Sequence, residues 1–545
     1  MTKLLPTSWP GQVCNIWGCS ASSLLTYLIS VSLLYTIALG LYRLTLHPLA
    51  RFPGPKITAF TGWYEFYVDV ILRHLSSASA SNALGEAAII TTFSLEIQRM
   101  HACYGPIVRI NPHELHVSDP EFFPMLYAGG SAQRDKYAPT AYVQGVPRAM
   151  FGTLGHDMHR RRRGAVANYF SRQAIIGKLD LVQRKAELFC EVFEKARRDG
   201  VPINVRVPVL AYSTDLVCAI VLPEFGEMNL LINWDRAVDW RRNIVQLLYM
   251  TPVVRQLYWL MPHVLKLPLH LVQVISPGLG RVLSIHKDMQ AQSRSETRRY
   301  EKEKDASSRD SKNLYFTILS SDLTALDKTS DRMAEESFAL LTGGGDTVGR
   351  TMTTAIYHLL ANPPHLKRLR QELETVMPRP NSEVGLAELE QLQWFTAVLK
   401  ESLRIAALIT SRAPLIAPTE WLRYKDWAIP PNTPVSMTLA ELMMDAATFP
   451  SPASFDPTRW LPSNPNLAEN NRHFVPFHRG HRNCIGMNLA WAEMYIGLAK
   501  VFRRFDLELY DVIRERDVDH AVDCFLSEPR NDSKGVRVHV FPRKH

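Results

Sequence analysis

The hydrophobic pattern opens with an uncharged run near the N-terminus. Residues 21–42 (ASSLLTYLISVSLLYTIALGLY) contain no charged side chain. A helix that rises about 1.5 Å per residue over this length would span a bilayer core about 30 Å thick. A cleaved signal peptide is one alternative, although the run is long and begins late for one; a helix of the protein core is another. Lys3 precedes the run and Arg43, Arg51 and Lys56 follow it, so the positive-inside rule predicts a cytoplasmic C-terminal side.

Beyond this run, chain breaks alternate with amphipathic segments. Residues 52–55 (FPGP) end any helix and predict a stiff hinge. Residues 107–117 (IVRINPHELHV) alternate apolar and polar positions and predict a short β-hairpin. Residues 74–92 are rich in Ser and Ala and indicate a loop insertion, with an error in the gene model as the alternative. Residues 174–283 are mostly amphipathic helix, whereas the mixed-charge run 294–312 indicates a solvated linker or helix end.

The longest helical pattern covers residues 331–361. It follows Thr329 and Ser330, which are suitable N-cap residues, and ends before the sequence Asn-Pro-Pro. Residues 341–347, at its centre, have the sequence LTGGGDT, and each glycine inside a helix costs roughly 1 kcal/mol relative to Ala. The run therefore indicates a ligand close to the backbone or a local widening of the helix. A break from helix to loop is the alternative.

A second helix is predicted over residues 394–405 (WFTAVLKESLRI). Glu401 and Arg404 are three residues apart in it, so they lie on one face and can pair. Residues 406–418 and 428–438 are predicted as short strands with proline turns. The pattern as a whole predicts a mainly α fold with small β-sheets.

Composition narrows the class of protein. The chain has 545 residues, 46% of them hydrophobic, which allows one large core or several domains. The net charge of +9 is modest for this length, and no basic stripe is interleaved with aromatic residues, so nucleic-acid binding is not expected. An odd number of cysteines without a CxxC pair argues against a disulfide framework or a zinc module and fits a reducing compartment. The cysteines are Cys14, Cys19, Cys103, Cys190, Cys218, Cys484 and Cys524.

Cys484 is the strongest candidate for chemistry. It lies in the run FVPFHRGHRNCIGMNLA between Gly480 and Gly486, with Arg482 two residues before it. An apolar helix is predicted to begin just after Gly486, so the sulfur lies where a loop meets a helix N-terminus. Loop N–H groups, the guanidinium and the helix dipole would all favour a thiolate. The alternative is an inert buried cysteine.

The spacing around this cysteine is Phe-x-x-Gly-x-Arg-x-Cys-x-Gly, with Phe477, Gly480, Arg482, Cys484 and Gly486 at the defined positions. It resembles the haem-binding signature of the cytochromes P450. In that family the cysteine is the axial thiolate ligand of the haem iron and favours O–O cleavage. The resemblance implies that Cys484 is the metal ligand and that the other four residues form the cofactor site.

The glycine-rich run of the long helix carries the same resemblance. Gly343, Gly344, Asp346 and Thr347 match the P450 oxygen-binding motif. The match implies that O2 binds beside the two glycines and that Asp346 and Thr347 help to deliver protons. Val348 occupies a position where another hydroxyl is common in the family, so proton delivery would depend more heavily on Thr347.

A further helix, HRRRRGAVANYFS, resembles the P450 helix that crosses the haem edge. His159 stands where the family usually has Trp, and Arg163 keeps the arginine. They are four residues apart, so both could reach a haem propionate. Residues 160–162 would then point elsewhere. With Arg479 and His481 they form either a solvated basic face or a docking patch for an electron donor.

Glu401, Arg404 and Arg459 resemble the P450 Glu-Arg-Arg triad. Thr458 departs from the family, which usually has Glu there. The implied role is structural, because a buried triad is stable only when fully paired. Arg412 could contact a propionate or satisfy a buried carbonyl.

The resemblance also implies a domain organisation and a location. Residues 1–20 are an N-terminal lumenal segment, 21–42 a transmembrane anchor and 43–60 a linker with the proline-rich hinge. Residues 61–545 are then the haem domain. The protein would be single-pass in the endoplasmic reticulum membrane, with its catalytic domain in the cytoplasm.

The implied function is that of a haem-thiolate monooxygenase. With haem b it would insert one oxygen atom of O2 into a hydrophobic small molecule, by hydroxylation or epoxidation. Similarity to trichodiene oxygenase-like fungal P450s implies a terpenoid or polyketide pathway of secondary metabolism. Electrons from NADPH would come through a separate NADPH-cytochrome P450 reductase, with cytochrome b5 as a second candidate donor. The alternatives are a P450-fold isomerase or dehydratase without external electrons, and a non-catalytic haem-binding protein.

Overall fold

The computed structural model describes residues 21–72, 92–143, 145–222, 228–303 and 313–543. The predicted lumenal segment 1–20 and nearly all of the predicted insertion 74–92 lie outside the described residues. The rest is mainly helical and contains four small β-sheets, which confirms the predicted fold class.

The helices and strands have the following bounds. The helices are α1 (Ala21–Leu41), α2 (Lys56–Phe60), α3 (Trp63–Phe66), α4 (Phe93–Tyr104), α5 (Phe123–Leu126), α6 (His156–Ala167), α7 (Arg172–Ile176), α8 (Leu179–Asp199), α9 (Arg206–Val221), α10 (Trp234–Tyr249), α11 (Thr251–Gln256), α12 (Met261–Val264), α13 (Leu269–Ile275), α14 (Pro277–Glu303), α15 (Leu314–Leu319), α16 (Ser330–Ala361), α17 (Pro363–Val376), α18 (Leu386–Glu390), α19 (Gln393–Ile405), α20 (Leu439–Met443), α21 (Leu467–His473), α22 (Met487–Arg504) and α23 (Arg514–Asp517). The strands are β1 (Ile107–Arg109), β2 (Leu115–Val117), β3 (Asp135–Lys136), β4 (Ile203–Asn204), β5 (Leu415–Ile416), β6 (Leu422–Tyr424), β7 (Trp427–Ile429), β8 (Pro434–Ser436), β9 (Phe505–Leu509), β10 (Val522–Cys524), β11 (Leu526–Glu528) and β12 (Arg537–Pro542).

The uncharged run near the N-terminus is helical, as predicted. α1 and the π-helical turn Tyr42–Leu46 after it include a span over Leu24–Leu46 with a mean hydropathy of 2.0. Only 6% of the span's most apolar window is buried, so the core-helix alternative is wrong. By length and composition the helix can cross a membrane, although a signal sequence would have the same properties.

The segment between α1 and the domain is fixed to a sheet rather than hinged freely. The Arg109 N–H of β1 donates to the Pro53 carbonyl at 2.7 Å. A Cβ on Gly54, which has φ +152°, would lie only 2.7 Å from the Arg109 carbonyl oxygen, so this contact requires glycine. Phe52 is buried in the apolar cluster of the sheet. The proline-rich hinge therefore packs as part of the domain.

The largest sheet has the strand order β1-β2-β8-β5-β3, and the others are β4-β12-β9, β10-β11 and β6-β7. The predicted hairpin is confirmed as β1 paired antiparallel with β2, with Val108 opposite His116. The strands predicted over 406–418 and 428–438 appear as the shorter β5 and β8, which pair antiparallel. β5 also pairs with β3, which brings Lys136 opposite Leu415.

α16 crosses the middle of the domain and packs against α9 along much of its length. It runs through the glycine-rich segment without a break or widening, so the loop alternative and the predicted widening are both wrong. A Cβ on Gly345 would meet the Thr214 Oγ1 at 2.4 Å, and one on Gly344 would meet Val217 at 2.6 Å. These two glycines therefore allow close helix packing, and only Gly343 has open space beside it.

Candidate active site

A cavity of about 360 Å³ lies between α16 and the cysteine loop, and its walls are mostly apolar. Gly343, Thr347 and Thr351 line it at intervals of four residues, which places them on one face of α16. Of the predicted cofactor residues, all except Gly480 border this cavity. Those that do are Cys484, Arg482, Arg163, His159, Phe477, Gly486, Gly343 and Gly344.

Backbone geometry shapes the cysteine loop. Gly480 has φ +70°, and a Cβ there would lie 2.4 Å from the Tyr127 carbonyl oxygen, so no other residue fits. The Cys484 N–H donates to the Phe477 carbonyl at 2.8 Å. A Cβ on Gly486 would meet no atom within 4 Å. The loop thus presents the sulfur to the cavity and keeps the space beside it clear.

The charge of Cys484 depends on opposing effects. Burial raises the pKa of the Cys484 thiol, while the Gly486 N–H and the Arg163 guanidinium act in the opposite direction. Arg482, which we expected to favour the thiolate, instead donates to the Thr153 and Leu154 carbonyls at 2.9 and 2.7 Å. The expectation of a thiolate at Cys484 stays a prediction, because the pKa of a metal ligand depends on the metal that it binds. A metal ion that binds this sulfur would have to displace its proton.

Four basic side chains gather at one end of the cavity: Lys136, His159, Arg163 and Arg482. Burial, followed by the Arg482 charge, lowers the pKa of His159 to about 2, so its ring is neutral. Burial also lowers the pKa of Arg482 to about 10, and its Nε has no partner among the described residues. Arg163 donates to the Asn483 carbonyl and side-chain oxygens at 2.8 and 2.6 Å. These partly buried cations fit the carboxylates of a haem.

Lys136 was missed in the sequence because it lies in no motif. Its Nζ donates to the Phe151 carbonyl at 2.6 Å and lies 3.5 Å from the centre of the Phe151 ring. Burial lowers the pKa of Lys136 well below its usual value. The pairing of β3 with β5 places this residue beside the cavity, and that pairing is not visible in the sequence.

Thr347 and Asp346 occupy different environments. The Thr347 hydroxyl borders the cavity and donates to the Gly343 carbonyl at 3.0 Å. Asp346 is 1% exposed and does not border the cavity. Both of its oxygens accept from Arg206 at 3.0 Å, and the same guanidinium binds Glu528 at 2.6 Å. Asp346 is thus held away from the cavity by a partner that the motif did not predict.

Glu493 on α22 is a second buried carboxyl, and it borders the cavity. The Ser213 hydroxyl lies 2.5 Å from its Oε2 and 2.8 Å from the Gly344 carbonyl. A hydroxyl has one proton to donate, and the carbonyl can only accept it. Both contacts are hydrogen bonds only if Glu493 is protonated and donates to Ser213. In agreement, burial raises the pKa of Glu493 to about 8.

Comparison with known proteins gives the family. The cytochrome P450 family model matches residues 88–533. This chain belongs to the cytochrome P450 family. It is 37% identical over 521 residues to a tryptophan 6-hydroxylase of Fusarium equiseti, an alignment that covers 94% of this chain and 96% of that one. It is also 34% identical to a cytochrome P450 monooxygenase of Ascocoryne sarcoides over 528 residues, with 95% and 99% covered.

A third relative is the N-acetyltryptophan 6-hydroxylase of Emericella nidulans, 34% identical over 524 residues, with 95% of this chain and 97% of that one covered. The predicted family is confirmed, and these findings support a haem monooxygenase of secondary-metabolite biosynthesis. As a P450 monooxygenase, the protein uses haem b and electrons that a reductase supplies from NADPH. O2 and a hydrophobic substrate are its other reactants.

The three residues of the predicted P450 triad lie together. Arg404 donates to both oxygens of Glu401 at 2.7 and 2.9 Å, and Arg459 approaches the same carboxylate at 3.4 Å. Trp460, which the sequence did not single out, donates its indole N–H to Glu401 at 2.9 Å. All four side chains are buried, and the pairing required of a buried triad is therefore present.

Arg412 is held by two carboxylates that the sequence did not predict. It borders the P450 cavity, but its guanidinium donates to Glu65 and Glu114 at 2.6–3.0 Å. These two carboxylates raise the pKa of Arg412 well above its usual value despite burial. It therefore serves a buried charge network rather than a carbonyl.

The predicted basic face on the cysteine side is smaller than expected. Arg160 and Arg161 are exposed. Arg162 instead pairs with buried Asp327 at 2.8 Å and donates to the Thr153 hydroxyl at 2.7 Å. The expectation that Arg162 belongs to a solvated face is wrong, because the turn of α6 directs it into the domain.

Proposed function

We propose that this P450 hydroxylates an indole ring in tryptophan or a close derivative, as a step in secondary-metabolite biosynthesis. The observation that carries the proposal is the pair of relatives, 37% and 34% identical over nearly the whole chain, named as 6-hydroxylases of tryptophan and N-acetyltryptophan. An indole is flat and apolar, and it suits a cavity with mostly apolar walls.

The walls of the cavity support an aromatic substrate. Phe151 and Phe525 border it with ring centroids 6.4 Å apart at 89°, an arrangement that can take a third ring edge-on or stacked. Glu336 borders the cavity seven residues before Gly343, about 10 Å along the axis of α16. Arg255 also borders it. Both are already paired within the domain, Glu336 with Arg332 at 2.6 Å and Arg255 with Glu65 at 2.7 Å, so the aromatic walls rather than these charges support the proposal.

The roles of the cavity residues follow from their positions. Bound haem b supplies O2 activation at an iron that carries a thiolate ligand. In this proposal Cys484 is that ligand, and Arg163, Arg482 and Lys136 neutralise the haem propionates. Thr347 holds a proton at Oγ1 on the oxygen side of the cavity.

The direct test measures binding and oxygen incorporation. Full-length protein in membranes, with reductase, NADPH and ¹⁸O₂, is offered tryptophan, N-acetyltryptophan and a matched panel of terpenoids and polyketides. We expect a high-spin shift of the haem spectrum and one ¹⁸O atom in an indole product. A response to terpenoids or polyketides alone would reject the indole proposal. Turnover without NADPH would instead indicate an isomerase or dehydratase.

We further propose a location and an electron donor. α1 would anchor the protein once in the endoplasmic reticulum membrane with the catalytic domain in the cytoplasm. NADPH-cytochrome P450 reductase would dock at the surface that carries Arg160 and Arg161, and cytochrome b5 is a second candidate donor. Residues 1–20 would be lumenal. Carbonate extraction of microsomes should leave the protein in the pellet, and protease added outside should digest its C-terminus; a soluble or protected protein would contradict the topology.

A further inference from the structure

A second pocket, of about 310 Å³, lies beside the C-terminal half of α16. Arg350, Thr354 and His358 line it at intervals of four residues and therefore share one helix face. His520, which is exposed, and Arg514 also line the pocket. The pocket therefore reaches from the surface to the helix that borders the haem cavity. It is distinct from that cavity, because no residue borders both.

Arg350 is the unusual residue of this pocket. It is 6% exposed, yet within the described ranges its guanidinium makes no ion pair and no hydrogen bond, and its Nε is fully buried without a partner. Other deeply buried arginines of this domain have acceptors: Arg404 and Arg412 bind carboxylates directly, and Arg109 donates to the Arg43 and Pro112 carbonyls at 2.8 Å. An unpaired buried charge is costly. An anion bound to this guanidinium would therefore stabilise the folded protein.

Within the group formed by Arg350, Arg206, Arg241, Asp346 and Glu528, the charges leave an excess of one positive unit. The electrostatic neighbours of Arg350 include Arg206, Asp346 and Glu528, and Arg241 interacts with the same three groups. Three guanidiniums thus face two carboxylates, both of which are bound to Arg206. One additional anion would balance this group of side chains.

The pocket's own acidic groups do not supply that anion. Burial raises the pKa of Glu441 to about 8, so it is largely neutral at pH 7. Asp519 is paired with Arg514 at 3.0 Å. His358 is also neutral, since burial lowers its pKa to about 3. The Thr354 hydroxyl makes no hydrogen bond to the chain where the structure describes it, and it can donate to a ligand.

We propose that this pocket binds a small organic acid, whose carboxylate pairs with Arg350 and accepts from the Thr354 hydroxyl. The planar guanidinium matches a carboxylate with two parallel hydrogen bonds. Leu95, Ile405 and Met444 line the same pocket and offer apolar surface to the body of the acid. A volume of 310 Å³ corresponds to roughly ten water molecules at ~30 Å³ each, enough for an acid of several carbons.

Occupancy would act on the catalytic helix. Arg350 follows Asp346 by four residues, about one helical turn. A carboxylate at Arg350 would cancel the excess positive charge beside the Asp346–Arg206 pair. The pocket is thus a second ligand site, and the charge of its ligand would change the electrostatic potential at α16, on the oxygen side of the haem cavity.

The test uses the full-length holoenzyme and hexanoate as the probe. Thermal unfolding is followed against hexanoate or inorganic phosphate at constant ionic strength, while the haem spectrum reports any entry into the haem cavity. We expect hexanoate to raise the melting temperature saturably without a spin-state shift. Arg350→Gln should weaken the apparent affinity by about 10- to 100-fold, as loss of charged hydrogen bonds predicts. Arg242→Gln, which alters an exposed arginine paired with Asp239, should respond as the wild type does.

Several results would overturn the proposal. The first is an Arg350→Gln protein that binds hexanoate as tightly as the wild type does. The second is a rise in melting temperature with phosphate equal to the rise with hexanoate. The third is a rise in melting temperature that occurs together with a change in the haem spectrum. If Arg350→Gln does not fold, a second variant and a direct measurement still test the proposal. Arg350→Lys keeps the charge but loses the planar group that makes two parallel hydrogen bonds, so it should bind hexanoate more weakly than the wild type does. Crystals soaked in 4-bromobutyrate should give an anomalous bromine peak in this pocket, and density for water alone would reject the site.

Discussion

Opposite walls of the haem cavity hold their functional groups by different means. On the cysteine side, local backbone contacts determine the geometry: Gly480 at φ +70° and the Cys484 N–H bonded to the Phe477 carbonyl. On the α16 side, distant side chains determine it. Arg206 of α9 holds Asp346, and Ser213 of the same helix reaches Gly344. The geometry of the cysteine wall, formed by residues 477–486, thus depends on residues close together in the sequence. The geometry of the oxygen wall, formed by α16 around residues 343–351, depends on how α9 packs against α16.

Two buried carboxyls, one outside the cavity and one that borders it, show a similar contrast. Asp346 and Glu493 are each 1% exposed. Asp346 has a cation at 3.0 Å, whereas among the described residues the Glu493 carboxyl contacts only the Ser213 hydroxyl, and burial raises the pKa of Glu493 to about 8. The residue that matches a family motif is therefore held outside the cavity, and the residue outside every predicted motif borders it. Variants at both walls can test whether this division holds.

The largest effect is expected at the cysteine wall. Cys484→Ser should abolish the reduced-CO band typical of thiolate haem and all monooxygenase activity, because the sulfur ligand is lost. Cys103→Ser, at an exposed cysteine, is the control and should keep both. A Cys484→Ser protein that retained the band would reject the ligand assignment.

A large effect is expected at Asp346. Asp346 lies outside the cavity, so the variant tests whether it serves proton delivery from behind Thr347; in that case Asp346→Asn should lower kcat by about 10²-fold, in the range lost when an acid–base group is removed. Folding should survive, because Arg206 keeps Glu528 as its partner. Glu528→Gln disturbs the same guanidinium without removing Asp346 and should lower the melting temperature more than kcat. If both variants lost stability but kept kcat, the charge cluster would be structural only.

A smaller loss is expected at Thr347, visible mainly as uncoupling. Thr347→Ala should keep haem and substrate binding while product falls by roughly tenfold and peroxide rises, because a proton donor facing the cavity is lost. Thr353→Ala is the matched control: its hydroxyl makes the same bond one turn back, to Gly349 at 2.7 Å, but it does not border the cavity. Equal coupling in the two variants would show that another group supplies the proton.

Glu493 provides a test by pH. Its folded pKa of about 8 lies above the usual 4.5, so its contribution to stability is complete below pH 4.5 and is lost as pH rises toward 8. The unfolding free energy of wild type minus that of Glu493→Gln should therefore fall through this window, by up to about 1.4 kcal/mol per pH unit. Glu493→Ala leaves Ser213 without its donor and should cost about 1–3 kcal/mol. A difference that does not change with pH would mean that Glu493 is ionised.

The contrast between local and long-range contacts also explains which parts of the site could be predicted from the sequence. The cysteine loop, the triad and α16 were predictable because their residues follow fixed local spacings. Lys136 and Glu493 were not, since β3–β5 pairing and the packing of α22 against α16 bring them to the cavity. Arg162 was assigned to the wrong environment for the same reason: Asp327, its partner, lies 165 residues away in the chain.

The smallest effect is expected outside the cavity, at the surface near the cysteine wall. Arg160→Glu combined with Arg161→Glu should slow the first electron transfer from reductase and flatten its dependence on salt, because exposed rim charges mainly govern association rate. Substrate affinity should not change. Arg423→Glu, at an exposed arginine of the β6–β7 hairpin, controls for net charge. Arg162 is left intact, since its pair with Asp327 is structural. A double variant with wild-type rate and salt slope would show that the two arginines are only a solvated face of α6.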